Sequence, residues 1–433
     1  MQVQKPKQGY KLVKSFFGKY EEIPEDWNMS KLDKFLKINM GQSPPSECYN
    51  DVGNGLPFFQ GVTDFGDIFP EPKVWCNDAR KIAEPNEILF SVRAPVGEVN
   101  LSNSKCCIGR GIASLIPNNS NMHYCFYILK QFKNHFLQYS QGTTYDAINR
   151  EEIVRVKVPF TEVLSEQQKI ASILSNVDSL IQQTQKEIEQ TQKLKKGLMQ
   201  KLFTKGIGHT KFKEVFLKFH FLRYEIPENW HVIIIKKLST LGKDAIITGP
   251  FGLMLHSSDY VEVGTPLILI KNIQDSKIID KDIPKVSKED TERLSRYQVK
   301  EGDMVFSRVG RVGSAALVER KQHGWLISGQ LLRIRFDNPN LNSNYLNYFI
   351  QSHLFIRTLI PELVGSTRDS INTEILENLP IIIPPKKEQD EITTILSNVD
   401  LRIEKQLEYK SNLETLKKGL MQKLLTGQIR VKV

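Results

Sequence analysis

The chain has 433 residues, 40% of them hydrophobic and 25% charged, which is the balance of a globular protein long enough for two to four domains. No apolar leader follows Met1 and the longest aliphatic runs, such as Val232 to Ile235, are far too short to span a bilayer, so no membrane partner and a cytoplasmic location are expected. Net charge is +10, spread as +1 over residues 1–165, +3 over 166–205, +5 over 206–387 and +1 over 388–433, which permits a polyanionic partner and excludes a concentrated basic tract.

In chain order, the first segment opens with Ile23-Pro24-Glu25-Asp26-Trp27 and continues as short β-rich runs separated by Gly, Pro and Asn turns, for instance Glu87 to Val92. All five cysteines (Cys48, Cys76, Cys106, Cys107, Cys125) lie here, odd in number and without a C-x-x-C pair, so reduced, mostly buried thiols are expected rather than disulfides or a zinc site. A helix is predicted near Tyr124 to Tyr139. A Gly142-Thr143-Thr144 turn and a strand over Val154 to Val158 follow.

Ser165-Glu166-Gln167-Gln168 offers an N-cap with Gln at the third helical position. From there Ile170, Leu174, Val177, Ile181, Thr184, Ile188 and Thr191 alternate steps of four and three, and Leu194, Leu198 and Leu202 close the series. Such a stripe predicts a long coiled-coil helix of roughly 57 Å.

The rest of the chain repeats this plan. Ile226-Pro227-Glu228-Asn229-Trp230 answers the first Trp segment, a strand is predicted over Met304 to Val309 and a helix near Tyr345 to Thr358, and Tyr345-x-x-Tyr348 answers Tyr124-x-x-Tyr127. Gly365-Ser366-Thr367 answers the Gly-Thr-Thr turn and a strand is predicted over Leu379 to Ile383. The final helix carries the matching stripe: Ile392, Leu396, Val399, Ile403, Gln406, Lys410, Leu413, Leu416, Leu420 and Leu424. Within the two helices Ile173 to Asp178 is identical to Ile395 to Asp400, and Lys195 to Leu202 to Lys417 to Leu424, at one unchanged offset of 222 residues. A fixed offset means two helices of equal length in equal register, a constant frame carrying two variable heads. Four segments result: a head at 1–164, a long helix at 165–205, a second head at 206–387 and a second long helix at 388–433. The expected fold is mixed α/β (α+β), with an internal pseudo-two-fold repeat and the helices pairing as an antiparallel coiled coil.

Catalytic motifs are missing. There is no G-x-x-x-x-G-K-[ST] phosphate loop, no H-E-x-x-H zinc motif, no G-x-S-x-G elbow and no Asn/Asp-Pro-Pro-Tyr/Phe methyltransferase tetrapeptide. No catalytic residue and no metal ligand is assigned.

This layout resembles the specificity (S) subunit of type I restriction-modification systems over essentially the whole chain. The strings that carry the resemblance are Pro57-Phe58-Phe59-Gln60-Gly61, Ser91-Val92-Arg93-Ala94-Pro95-Val96-Gly97 and Cys107-Ile108-Gly109-Arg110-Gly111 in the first head. Ser307-Arg308-Val309-Gly310-Arg311-Val312-Gly313 and Ile327-Ser328-Gly329-Gln330 carry it in the second, with the two Lys-Lys-Gly-Leu-Met-Gln-Lys-Leu helix ends. The resemblance implies a non-catalytic subunit binding double-stranded DNA, each head reading one half of an asymmetric bipartite site. The helices would set the spacer and dock two methyltransferase (M) subunits, and restriction (R) subunits would join them. The chain itself would bind no cofactor: S-adenosylmethionine would belong to an adenine-N6 methyltransferase partner, ATP and Mg to the restriction partner. A fused methyltransferase-nuclease partner, or a self-contained DNA-modifying enzyme, are the alternatives.

Arginine in a Gly-rich turn can reach phosphate or take a guanine edge, glutamine can read adenine, and small hydroxyls suit close backbone approach to DNA. The DNA-contact candidates are therefore Gln60, Arg93, Arg110, Thr143 and Thr144 in the first head, and Arg308, Arg311, Gln330, Ser366, Thr367 and Arg368 in the second. Family turns of the Gly-x-Thr type often carry Gln where this chain has Tyr145 and Arg368.

Overall fold

The computed structural model describes residues 5–14, 20–139, 147–217, 222–250, 254–363 and 370–432, and they form a mixed α/β structure. The chain divides into two compact units, residues 1–186 with 408–433, and residues 187–407. Two 39-residue helices, Leu164–Leu202 and Lys386–Leu424, each contribute one part to either unit. The first begins one residue before Ser165, which therefore lies inside the first turn and is not its cap. Thr161 holds that end instead: its hydroxyl donates to Glu166 Oε2 at 2.8 Å and accepts from the Val163 N–H at 3.2 Å.

In the first unit a four-stranded antiparallel sheet runs in the order Val99–Leu101, Ile88–Ser91, Ile112–Pro117, Leu36–Met40. Beside it lies a five-stranded sheet in which Leu56–Phe59 pairs parallel with Cys106–Ile108. The predicted head helix is broken into Met122–Gln131 and Lys133–Leu137. Val154, expected in a strand, sits in the helix Arg150–Arg155, because Asn149 and Glu152 form a capping box there; the strand follows as Lys157–Phe160. All five thiols are free and four are buried. Burial pushes Cys106 up to about 11 and Cys107 and Cys125 up to about 12.

The second unit repeats the design. Its four-stranded antiparallel sheet is ordered Ile246–Thr248, Leu331–Ile334, Met304–Ser307, Ala315–Leu317, and Thr265–Ile268 pairs parallel with Leu326–Ile327 in the neighbouring sheet. The predicted helix is again broken, into Ser343–Ile350 and His353–Leu363, where Ser352 Oγ accepts from the Phe355 N–H at 3.3 Å and starts the second piece. The hairpin of Ile273–Gln274 with Lys277–Ile278 answers the Phe65–Pro70 bridge of the first unit, and behind each the same bond closes the loop, Ile279 N–H to the Asn272 carbonyl and Glu71 N–H to the Asp64 carbonyl, both at 2.8 Å.

The long helices run antiparallel within each unit. In the first, Asp178 is paired with Lys417 and Gln185 accepts from Lys410 at 2.9 Å, so one helix number rises as the other falls. In the second, Glu187 accepts from Gln406 at 3.4 Å and Lys195 pairs with Asp400 at 2.7 Å. Of the stripe residues, Ile170, Leu174, Val177, Ile188, Leu202, Ile392, Leu396, Leu413 and Leu424 are buried, and Ile181, Leu198, Val399, Ile403 and Leu420 are half-buried. The helices also enter the head cores: Ile170, Leu174 and Leu424 share one cluster with Tyr124, Phe126 and Phe160. Leu202, Ile392 and Leu396 share another with Trp230, Tyr345 and Phe349. Leu194 and Leu416, expected to continue the stripe, are 52% and 50% exposed. At that level the buried face has moved to Leu198, Met199 and Leu202, and to their equivalents, because the helix end packs on the head as well as on the other helix.

Each long helix is left by a glycine at positive φ, Gly206 (+62°) and Gly427 (+73°). A Cβ at Gly206 would stand 2.8 Å from the Trp230 ring, and one at Gly427 would press on Pro24 and on Trp27 at 3.3 Å. The repeated tryptophans thus form the platforms over which the chain leaves each helix.

Candidate DNA-reading surfaces and the helical frame

In the first head the parallel strands Leu56–Phe59 and Cys106–Ile108 end side by side, with Gly109 N–H donating to the Phe59 carbonyl at 2.8 Å. Gln60 and Arg110 follow directly and are both exposed. A Cβ at Gly111 would collide with the Gln60 carbonyl and come within 3.8 Å of Arg93 Cδ, so Gln60, Arg93 and the Gly109–Gly111 turn form one patch. Arg93 is exposed and bridged through its backbone to Ala147. Among the described residues neither Arg93 nor Arg110 has a carboxylate partner for its guanidinium, so both charges are available to an external anion. Thr143 and Thr144 lie outside the described residues, as do Ser366, Thr367 and Arg368.

The second head builds the same framework with different side chains. Val92 N–H donates to the Gly111 carbonyl at 2.9 Å and its carbonyl accepts from Ile148; Arg308 N–H donates to the Gln330 carbonyl at 3.1 Å and its carbonyl accepts from Ile371. Arg308 therefore occupies the place of Val92, Gln330 that of Gly111, and Val309, bridged to Ser370, that of Arg93. Arg308 is half-buried and its Nε donates to the Ile371 carbonyl at 3.2 Å, which braces the turn. Arg311 and Gln330 are exposed. Arg311 lines a cavity of about 740 Å³ whose other wall is Gln274, Asp275 and Ser276 of the Ile273–Ile278 hairpin. Arg333 is basic yet internal: burial pushes it down to about 10, and it donates to the Asp244 carbonyl at 2.8 Å.

Sequence reading missed a set of polar anchors, although Trp27, Trp230, Tyr127, Tyr348, Asp178 and Asp400 all lie in strings that it had singled out as repeated. Trp27 Nε1 donates to Glu166 at 3.1 Å, and Trp230 Nε1 to Glu388 at 2.8 Å. Tyr127 donates to Asp178 and Tyr348 to Asp400, both at 2.7 Å, and burial pushes both phenols well above their usual value. The remaining oxygens of the two glutamates are met differently. Arg430 pairs with Glu166 at 2.6 Å and also with Asp26, whereas His209 meets Glu388 at 2.8 Å.

Among the described residues no cluster of His, Cys, Asp or Glu has the geometry to hold a metal ion. No helix among them is long and apolar enough to cross a membrane.

Comparison with known proteins finds the same two-fold repeat of one domain. The family described as the type I restriction modification DNA specificity domain matches twice, over residues 24–190 and 227–411. The chain belongs to this specificity family. It is 27% identical over 419 residues to the type I restriction enzyme MjaVIII specificity subunit of Methanocaldococcus jannaschii, covering 95% of this chain and 94% of that one. Similarity to the MjaX specificity subunit assigned to a type I restriction enzyme of the same organism is higher, 42% over 187 residues, but spans less than half of either protein: 42% of this chain and 44% of that one. Among solved structures, the S subunit from M. genitalium matches with a TM-score of 0.56 at 16% identity, covering 92% of this chain and 96% of its own. A chain from a study of complex assembly in the type I R-M system matches at 0.59 and 18% identity, covering 94% and 100%. These likenesses establish for the specificity-family chain a shared fold, with the mixed α/β heads and both long helices.

Proposed function

We propose that this type I specificity subunit reads an asymmetric bipartite site on double-stranded DNA, one half per head, and has no catalysis of its own. The observation that carries this reading is the pair of non-equivalent patches on one framework: Arg93 stands where the other head has Val309, and Gly111 where it has Gln330. Equal backbones with unequal side chains suit two different half-sites, because base edges are told apart by side-chain donors and acceptors while phosphate contacts only position the protein. Gln60, Arg93, Arg110, Thr143, Thr144, Arg311, Gln330, Ser366, Thr367 and Arg368 make these contacts, with Arg308 as a brace.

The long helices set the spacer and dock two methyltransferase subunits, which supply S-adenosylmethionine and transfer methyl to adenine N6; restriction subunits with ATP and Mg complete the assembly in the cytoplasm. The test is methylation by purified chains. The subunit alone is expected to transfer no methyl group, and the subunit with its methyltransferase to modify one bipartite site. Replacing residues 206–387 by another family head should then change one half of that site only. Changes in both halves would overturn independent reading. Lengthening both helices by one heptad, after Ile181 and Ile403, keeps the stripe nearly in phase and should abolish modification at the original spacing; unchanged modification would show that the helices do not set it.

A further inference from the structure

The octapeptide repeated at Lys195 to Leu202 and Lys417 to Leu424 is identical on its solvent face as well as on its buried face. Internal contacts account for the buried side: Lys195 and Lys417 pair with Asp400 and Asp178, and Met199, Leu202, Met421 and Leu424 enter the head cores. They do not account for Lys196, Gly197, Gln200 and Lys201, which are exposed and recur unchanged as Lys418, Gly419, Gln422 and Lys423. Gly197 is the clearest case. Glycine weakens a helix interior, and a Cβ built on either glycine would meet nothing within 4 Å, so no neighbour among the described residues requires it.

In the second unit this face forms one wall of a groove of about 470 Å³. Lys196, Met199 and Gln200 line one side and Leu354, Ile356 and Arg357 of the helix His353–Leu363 the other. The floor is apolar and the rim basic, and no carboxylate lines it. Neither Lys196 nor Arg357 has an ion-pair partner among the described residues. Ile360, one turn beyond Ile356, is 51% exposed and extends the apolar wall. Tyr224 also lines the groove, with a buried hydroxyl that has no hydrogen-bond partner among the described residues.

From this geometry we infer that the groove between the repeated octapeptide and the helix His353–Leu363 seats a helix of the methyltransferase subunit, carrying one large apolar side chain flanked by carboxylates. The apolar side chain fills the groove over Met199 and Leu354. The carboxylates meet Lys196 and Arg357. Gly197 follows Lys196 on the exposed face of the long helix, where the missing side chain lets a partner helix come close, and the groove is bounded by two helices, as in other amphipathic-helix docking sites. Identity of the solvent face in both repeats fits a partner that is itself present twice. This inference rests on the reading of the chain as a subunit that docks methyltransferases.

The test uses the full-length chain and the purified methyltransferase subunit of the same host system, with sedimentation velocity reading how many copies bind. Gln200→Trp fills the groove and Arg357→Glu reverses its rim. Each is expected to weaken binding of one methyltransferase copy at least tenfold, leaving a one-copy complex, while DNA affinity of the free chain is unchanged. Two copies bound as tightly in both variants as in the unaltered chain would overturn the groove. Failure of the unaltered chain to bind any methyltransferase would instead overturn the functional reading beneath it.

Discussion

Lys417 of the second long helix is ion-paired with Asp178 of the first, and the Tyr127 hydroxyl donates to the same carboxylate at 2.7 Å. Both charges are well buried, the side chains being 17% and 8% exposed. The repeat returns the arrangement as Lys195, Asp400 and Tyr348, but there the carboxylate is 34% exposed. Removing one partner from a buried pair strands the other charge, at a cost of about 3–5 kcal/mol, whereas a half-exposed pair contributes about 1 kcal/mol or less. Lys417→Ala should therefore destabilise the chain by about 3 kcal/mol and Lys195→Ala by about 1 kcal/mol, read from urea unfolding. Equal losses would show that burial does not decide the difference.

The chain's last residues hold the first head. Arg430 donates to both Asp26 oxygens, at 2.8 and 2.9 Å, and to Glu166, whose side chain is 1% exposed. Its hydrogen bonds hold the Asp26 carboxyl below the usual carboxylate range. A depressed folded-state value means that the linked stability is present above the unfolded value, about 3.9, and is lost as pH falls through the folded one. Arg430→Met should lower the midpoint at pH 7 and flatten its decline below about pH 4. An unaltered acid profile would release Asp26 from this role.

Arg308 and Arg311 stand three residues apart in one Gly-rich turn, yet only Arg308 is tied to the backbone, through the Ile371 carbonyl. Arg311→Ala should reduce discrimination at one half-site by about 1–3 kcal/mol and leave stability alone, as expected of a base-edge contact. Arg308→Ala should instead cost about 1 kcal/mol of stability through the lost hydrogen bond. Competition binding with single-base variants of the methylated site, alongside unfolding curves, separates the two; the reverse pattern would exchange their roles.

What the sequence made legible was the frame. A 222-residue offset shared by two helices needs no tertiary information, since helix periodicity is local, and the helices stand at Leu164–Leu202 and Lys386–Leu424. The anchors were less legible: the Tyr-x-x-Tyr and Ile-Pro-Glu-x-Trp repeats were visible, but their partners Asp178, Asp400, Glu166 and Glu388 are 51 to 158 residues away. The two turns look alike as strings, and the backbone bonds of Val92 and Arg308 show that Val309 is the counterpart of Arg93, so the same place carries different side chains. Insertions and deletions inside the heads slide one head's sequence against the other's, so equivalence has to be read from hydrogen bonding.

The stripe of the second helix is interrupted by Gln406, where the first helix has Thr184. Thr184 satisfies its own hydroxyl by donating to the Leu180 carbonyl at 2.7 Å. Gln406 reaches only Glu187, with its Nε2 at 3.4 Å, and its Oε1 is buried without a partner among the described residues. An unpaired buried amide oxygen is destabilising, by about 1–3 kcal/mol, and a single polar residue in a coiled-coil seam is known to fix register at the expense of stability. Gln406→Leu is therefore expected to raise the stability of the chain by about 1 kcal/mol in denaturant unfolding. The same variant should lose fidelity of spacing when assembled with its methyltransferase, modifying sites one base pair longer or shorter than the original. A drop in stability of 1 kcal/mol or more would mean that the bond to Glu187 outweighs the unpaired oxygen, and modification confined to the original spacing would show that register is fixed elsewhere along the seam.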